Sequence, residues 1–210
     1  MKYCGWVLFV CLIVLGEPVF GQDRIAVAVP ILSPPVIDGV LDEPFWTRVD
    51  PVTGFLQRDP VDGAPASEKT EVRIAYTPTA LYFGMTMYDS EPGLIRGNIL
   101  QRGGWIDKDD NIRIALDTYD DDTNAYMFEV GVLGTQDDAL ISDESSTDWN
   151  WDGIYTTETR ITDEGWVLEI EIPFTTIRFD DTEAPEMGIA IARTIRRKNE
   201  SVFWPHIGQE

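Results

Sequence analysis

The chain has 210 residues, 37 acidic against 16 basic side chains and a formal net charge of −21. Nucleic acid and anionic membrane are therefore excluded as partners, because both need a basic surface to neutralise phosphate. The lone histidine, His206, cannot build a multi-histidine zinc site, and no G-x-S-x-G nucleophile motif is present.

Residues 1–21 read as a secretory signal. Lys2 gives the positive start, "GWVLFVCLIVLG" the apolar run, and Gly21 a small residue for cleavage before Gln22. The run falls short of the about 20 residues that span a bilayer. Cys4 and Cys11 both lie inside it, so the rest of the chain has no cysteine for disulfides or thiolate metal sites. Losing Lys2 and Glu17 with the signal leaves the net charge at −21. The expectation is an exported protein of the periplasm, outer membrane or extracellular space.

Residues 22–36 read as an extended, proline-rich lead-in that adds an edge strand, and 37–210 as one β domain. In "VIDGVLDEPFW", Asp38-Gly39 makes a tight turn and "LDEPFW" a helical turn that plants Phe45 and Trp46 in the core. Alternation then recurs along the chain. Val72, Ile74 and Tyr76 share one strand face, as do Leu81, Phe83, Met85 and Met87. Tyr126, Phe128, Val130 and Val132 come next, then Trp166, Leu168, Ile170 and Ile172 with Glu169 and Glu171 outward, then Ile189, Ile191 and Ile195. Short alternating runs separated by Gly, Asp, Asn and Pro predict an all-β antiparallel β-sandwich, jelly-roll-like.

Between these runs lies the stretch richest in chemistry. Trp105 comes after Gly103 and Gly104 and precedes "DKDDNIRIALDTYDDD". Ile112, Ile114 and Leu116 take one face of that strand, Arg113, Ala115 and Asp117 the other. Trp105 is either a stacking platform or half-buried packing, and its glycines and charged neighbours favour exposure. A flat aromatic ringed by carboxylates suits a wet polar ligand with an apolar face. Trp149 and Trp151 share a face if their stretch is extended.

The carboxylates invite a calcium reading. Asp148, Asn150, Asp152 and Gly153 spell D-x-N-x-D-G, the opening of a calcium loop. The twelfth position holds Thr159 instead of Glu, which rejects an EF-hand and leaves a looser calcium site or a loop of Asx turns. Asp120, Asp121 and Asp122 form a second acidic turn, and Asp107, Asp109 and Asp110 a third. One cation bridging these last two turns would relieve their repulsion. Carboxylate pairs at glycosidase spacing carry no weight in so acidic a chain.

"IDGVLDEPFW", "LYFGMTMYD", "WIDKDDNIRIALD" and "GWVLEIEIPF" occur in that order, and together resemble the family 9 carbohydrate-binding modules from Ile37 to Trp204. More narrowly, "DTYDDDTNAYMFEVGVLGTQDD", "WDGIY" and "RKNESVFW" are similar to a subgroup fused ahead of a large outer-membrane β-barrel. The resemblance implies a β-sandwich that grips a glycan terminus between two aromatic rings, with structural calcium nearby. By position Trp105 matches the first ring and Trp204 the second. Arg113 stands where many members carry an acidic residue. The subgroup also implies a barrel partner in the same polypeptide and a gene product continuing past Glu210. The expected function is non-catalytic glycan binding. The alternative is a module that docks on the barrel without binding sugar, and a remote third is a glycoside hydrolase-associated catalytic role.

Overall fold

A computed structural model describes residues 24–143, 146–180, 182 and 185–208. The segment read as a signal lies outside the described residues. In chain order the strands are β1 (Val29–Pro30), β2 (Leu56–Asp59), β3 (Thr70–Tyr76), β4 (Ala80–Tyr88), β5 (Asn111–Asp117), β6 (Ala125–Gly131), β7 (Gln136–Ser142), β8 (Ser146–Asp148), β9 (Thr156–Thr162), β10 (Gly165–Pro173), β11 (Gly188–Ile195) and β12 (Glu200–Trp204). The only helices among the described residues are short 3-10 turns.

The strands form two sheets, ordered β1-β3-β4-β10-β9 and β2-β12-β11-β5-β6-β7-β8. The lead-in supplies the expected edge strand, although β1 pairs with β3 in parallel. The remaining strand pairs are antiparallel. Period-2 alternation decides which side chains meet. Val72, Phe83, Met85, Leu168 and Ile170 from the smaller sheet face Ile112, Ile114, Phe128, Val130 and Ile191 from the larger one. Removing a large apolar side chain from water contributes about 1.5–3 kcal/mol, so this cluster is the main drive to fold.

The smaller sheet also buries its other face. Trp46, Tyr82, Ala75, Ala80, Ile31 and Val49 form a second cluster there, with Ile37, Leu41 and Phe45 packed against it. Trp46 thus lies in a core, but in the outer one. Glu169 points to that face as alternation requires, yet it is fully buried because residues 31–49 cover it. Its Oε2 accepts the N–H groups of Asp38 and Gly39, each at 3.0 Å, and holds the cover in place. Gly84 lies opposite Glu169 on β4, where a Cβ would stand 2.8 Å from Leu41.

At one end of the sandwich the interior is polar. Arg193 shares the core face of β11 with Ile191 and Ile195 and is fully buried. Its guanidinium crosses to the other sheet, donating to the carbonyls of Lys69 at 3.1 Å and Tyr88 at 2.8 Å and to Thr70 Oγ1 at 3.1 Å. Burial pulls its pKa down to about 10, and Asp110, Asp89, Glu68 and Glu200 oppose that fall. The group stays charged at neutral pH.

Candidate functional site

The outward face of the seven-stranded sheet carries one continuous cross-strand row. Phe203 on β12 lies opposite Ala192 on β11, Ala192 opposite Arg113 on β5, Arg113 opposite Glu129 on β6, and Glu129 opposite Asp137 on β7. Four inter-strand steps make the row about 19 Å long. Two residues along each strand a second row runs Ala190, Ala115, Met127 and Ala139. Ala115 and Ala190 in that row are small and half-buried, whereas Met127 and Ala139 are buried.

Arg113 is the hinge of the row. Its Nη2 donates to Glu129 Oε2 at 2.9 Å. Arg113 thus draws a carboxylate from the next strand. Glu129 is 3% exposed, and its Oε1 has no hydrogen-bond partner. Burial pushes its carboxyl up, Arg113 pulls it down, and the charges of Asp137 and Asp107 push it up further. Burial likewise raises Asp137, with Asp138 adding to the effect.

Trp105 stands at the end of the sheet where β5 begins, and it is 74% exposed. Lys108 lies over that ring, Nζ 5.3 Å from the centroid. The loop is held by buried groups from below. Asp109 accepts the backbone N–H groups of Asn98 and Ile99, both at 2.6 Å, and Asp110 accepts that of Arg96 at 2.8 Å. Asn111 Nδ2 ties the carbonyls of Ile106 and Asp109 at 3.1 Å each. Gly103 takes the left-handed conformation, φ +67°, that the preceding turn needs. Arg102 reaches across to Gln136 Oε1 at 3.1 Å, Asp138 at 2.7 Å, Asp152 at 2.6 Å and the Gly153 carbonyl at 2.9 Å. The aromatic is exposed on a fixed loop.

The other expected ligand-binding residues do not converge on it. Trp204 is 4% exposed and lies opposite Ile191 in the main core, and the little surface it keeps lines a cleft with Arg24, Val52 and Gly54. Its neighbour Phe203 faces outward instead, with the Arg58 guanidinium 5.5 Å over its ring. Trp149 is 52% exposed, but Trp151 packs against Tyr126 and Phe128 with centroids 5.3 and 5.7 Å away. The two tryptophans of that stretch therefore do not share one face.

The carboxylate turns are satisfied by their own neighbours. Asp148 Oδ1 accepts the backbone and side-chain N–H groups of Asn150 at 3.0 and 2.9 Å, while Asp152 is paired with Arg102. Asp117 accepts the N–H of Asp122 at 2.7 Å, and Asp121 accepts those of Thr123 and Asn124 at 2.9 and 2.8 Å. Asp120 and Asp122 adopt left-handed conformations within this turn. The turns at Asp107–Asp110 and Asp120–Asp122 sit at opposite ends of the seven-residue β5, more than about 20 Å apart, too far for one ion to bridge. Among the described residues no three His, Cys, Asp or Glu side chains gather as a metal-holding group. This donor set does not fit calcium, which takes six to eight convergent oxygens.

The "Carbohydrate family 9 binding domain-like" family model matches residues 37–201. Among solved structures, a family 9 carbohydrate-binding module from Caldicellulosiruptor kristjanssonii in complex with cellotriose superposes with a TM-score of 0.63 at 16% identity, covering 85% of this chain and 83% of its own. The glucose complex of a family 9 module from the same organism gives 0.62 at 17%, covering 86% and 84%. A Bacteroides uniformis protein described as carbohydrate-binding gives 0.70 at 13%, covering 87% and 90%. Among curated proteins nothing matches. The sandwich and the family match agree, and the chain belongs to the carbohydrate family 9 binding domain-like family.

Proposed function

We propose that this domain binds a glycan non-catalytically, as part of an exported protein, on the outward face of the seven-stranded sheet. Trp105 acts as the stacking platform, and the half-exposed Arg113, braced by the buried Glu129, supplies polar contacts. The observation that carries the reading is the exposed Trp105 indole, on a loop held by Asp109 and Arg102 where β5 begins. A pyranose has an apolar C–H face for the ring and hydroxyls for the charged row. The cellotriose and glucose complexes of the similar modules support sugars as the ligand class. The apolar run before Gly21 supports export.

Calorimetric titration with cellotriose, glucose and xylotriose tests this. A dissociation constant of about micromolar to millimolar is expected, as befits few contacts on an open face. Silence toward every glycan overturns the reading.

One observation favours a second reading. With Trp204 in the core, the expected pair of indoles is missing. A docking module for a barrel of the same polypeptide needs no such pair. It predicts no glycan response, together with protection of the Trp105 loop from protease in the full-length gene product.

A further inference from the structure

The cleft that Trp204 borders has a volume of about 550 Å³ and lies between residues 24–29 and residues 48–54. The lead-in runs along it in extended form. Ala26 and Ala28 pack against the main core, while Ile25 and Val27 alternate with them at 78% and 69% exposure. Within this segment only Val29 and Pro30 pair with a strand, and that strand is β3 on one side. β1 is the edge of its sheet, so the lead-in presents main-chain donors and acceptors to the cleft with no strand opposite. An open edge flanked by exposed aliphatic side chains is a template for strand addition.

The charged residues lining the cleft are Arg24, Arg48 and Asp50, a local positive surplus on a chain of net charge −21. Arg24 Nη1 donates to the Gly54 carbonyl at 2.8 Å and so joins the two walls. Among the described residues neither arginine forms an ion pair, whereas Arg73, Arg102, Arg113 and Arg197 each hold a carboxylate. Both are exposed. A guanidinium without a partner suits a carboxylate, and Val29, Pro51 and Val52 offer aliphatic contact beside it. A small organic anion would use the arginines and leave the open main-chain edge unused. We propose that the cleft takes an extended peptide segment with alternating aliphatic and acidic side chains, which adds a strand along the lead-in and sets its carboxylates against Arg24 and Arg48. The cleft shares no residue with the sheet face assigned to glycan, so the inference does not rest on the carbohydrate reading.

Calorimetric titration with the peptide acetyl-Glu-Val-Thr-Val-Glu-amide tests this. One control carries Lys in place of Glu, and a second is N-methylated along its backbone and cannot donate to a strand edge. The acidic peptide is expected to bind at least about tenfold more tightly than either control. Arg48→Glu lowers its affinity at least about tenfold, with folding confirmed by circular dichroism. Arg178→Glu makes the same change of charge at an exposed residue after β10 and leaves the affinity within about twofold. Equal binding of the acidic and N-methylated peptides, or an equal loss in the two variants, overturns the inference. Hexanoate binding as tightly as the peptide gives the cleft to small anions and overturns it too. So does a dimer in sedimentation velocity that Val27→Lys dissolves, which gives the edge to a second copy. No binding by the acidic peptide removes the inference, whatever the glycan titrations show.

Discussion

Arg102, in the loop that presents Trp105, donates to Asp138 of β7 at 2.7 Å, and Asp138 accepts the Gly153 N–H with its other oxygen at 2.6 Å. Two residues thereby lock three segments: the Trp105 loop, β7 and the strand-free stretch before β9. Asp138 is 3% exposed, so it depends on these partners. Arg102→Ala is expected to cost about 1–2 kcal/mol in urea unfolding. The lower end is set by solvent screening of the half-exposed guanidinium and the upper end by the carboxylate left short of a donor. The same variant weakens glycan binding through a looser Trp105, seen as a raised dissociation constant with unaltered stoichiometry.

Arg193→Met removes the only side chain shown donating from β11 to the Lys69 and Tyr88 carbonyls. These part-buried carbonyls and the buried Thr70 hydroxyl lose their donor, and Asp110 loses a nearby positive charge. The expected destabilisation is roughly 3 kcal/mol, read as a lower urea midpoint with an unchanged slope. Arg193→Lys should fall between the two, because a lysine keeps the charge without the planar fork.

Acid stability depends on Glu68. Burial alone would raise its carboxyl, but hydrogen bonds from Lys198 and Ser90 hold it below the ordinary 4.5. A depressed carboxyl contributes stability that is whole above the unfolded value and is lost as pH falls below 4.5 through the folded one. Asp110, raised by burial, acts in the opposite sense. Its contribution is present below the ordinary 3.8 and fades as pH climbs through the raised value. Glu68→Gln should flatten the acid limb of a melting-temperature profile, and Asp110→Asn should steepen it.

Calcium and chelator should leave the melting temperature where it is. Asp148, Asp121 and Asp117 already accept local N–H groups, and Asp152 holds Arg102. A rise of several degrees with added calcium would contradict this account of the turns.

Much of the sandwich was legible because burial on one face imposes period 2. The runs around Met85, Ile114, Phe128 and Ile170 all took their expected sides. Arg193 was equally legible, as it falls in step with Ile189, Ile191 and Ile195, but a charge is easily presumed to face water. Trp204 shares the parity of Val202, so alternation assigns both to the core and Phe203 to the outside. The reading of Trp204 as a second ligand ring followed positional likeness and overlooked that parity. The burial of Glu169 could not be read locally, since its cover comes from Asp38 and Gly39, about 130 residues earlier in the chain. The Arg113–Glu129 pair and the row through Asp137 depend on strand register, which a single sequence does not disclose.

The central claim is that the Trp105 ring meets the sugar. The direct measurement tracks the six indole N–H resonances left after removal of residues 1–21, with Trp105 assigned from Trp105→Phe, during titration with cellotriose. The account predicts a progressive shift of the Trp105 signal while those of Trp46, Trp166 and Trp204 stay still, and loss of binding in Trp105→Ala. A ligand that binds without moving the Trp105 signal, or with equal affinity to Trp105→Ala, would contradict it.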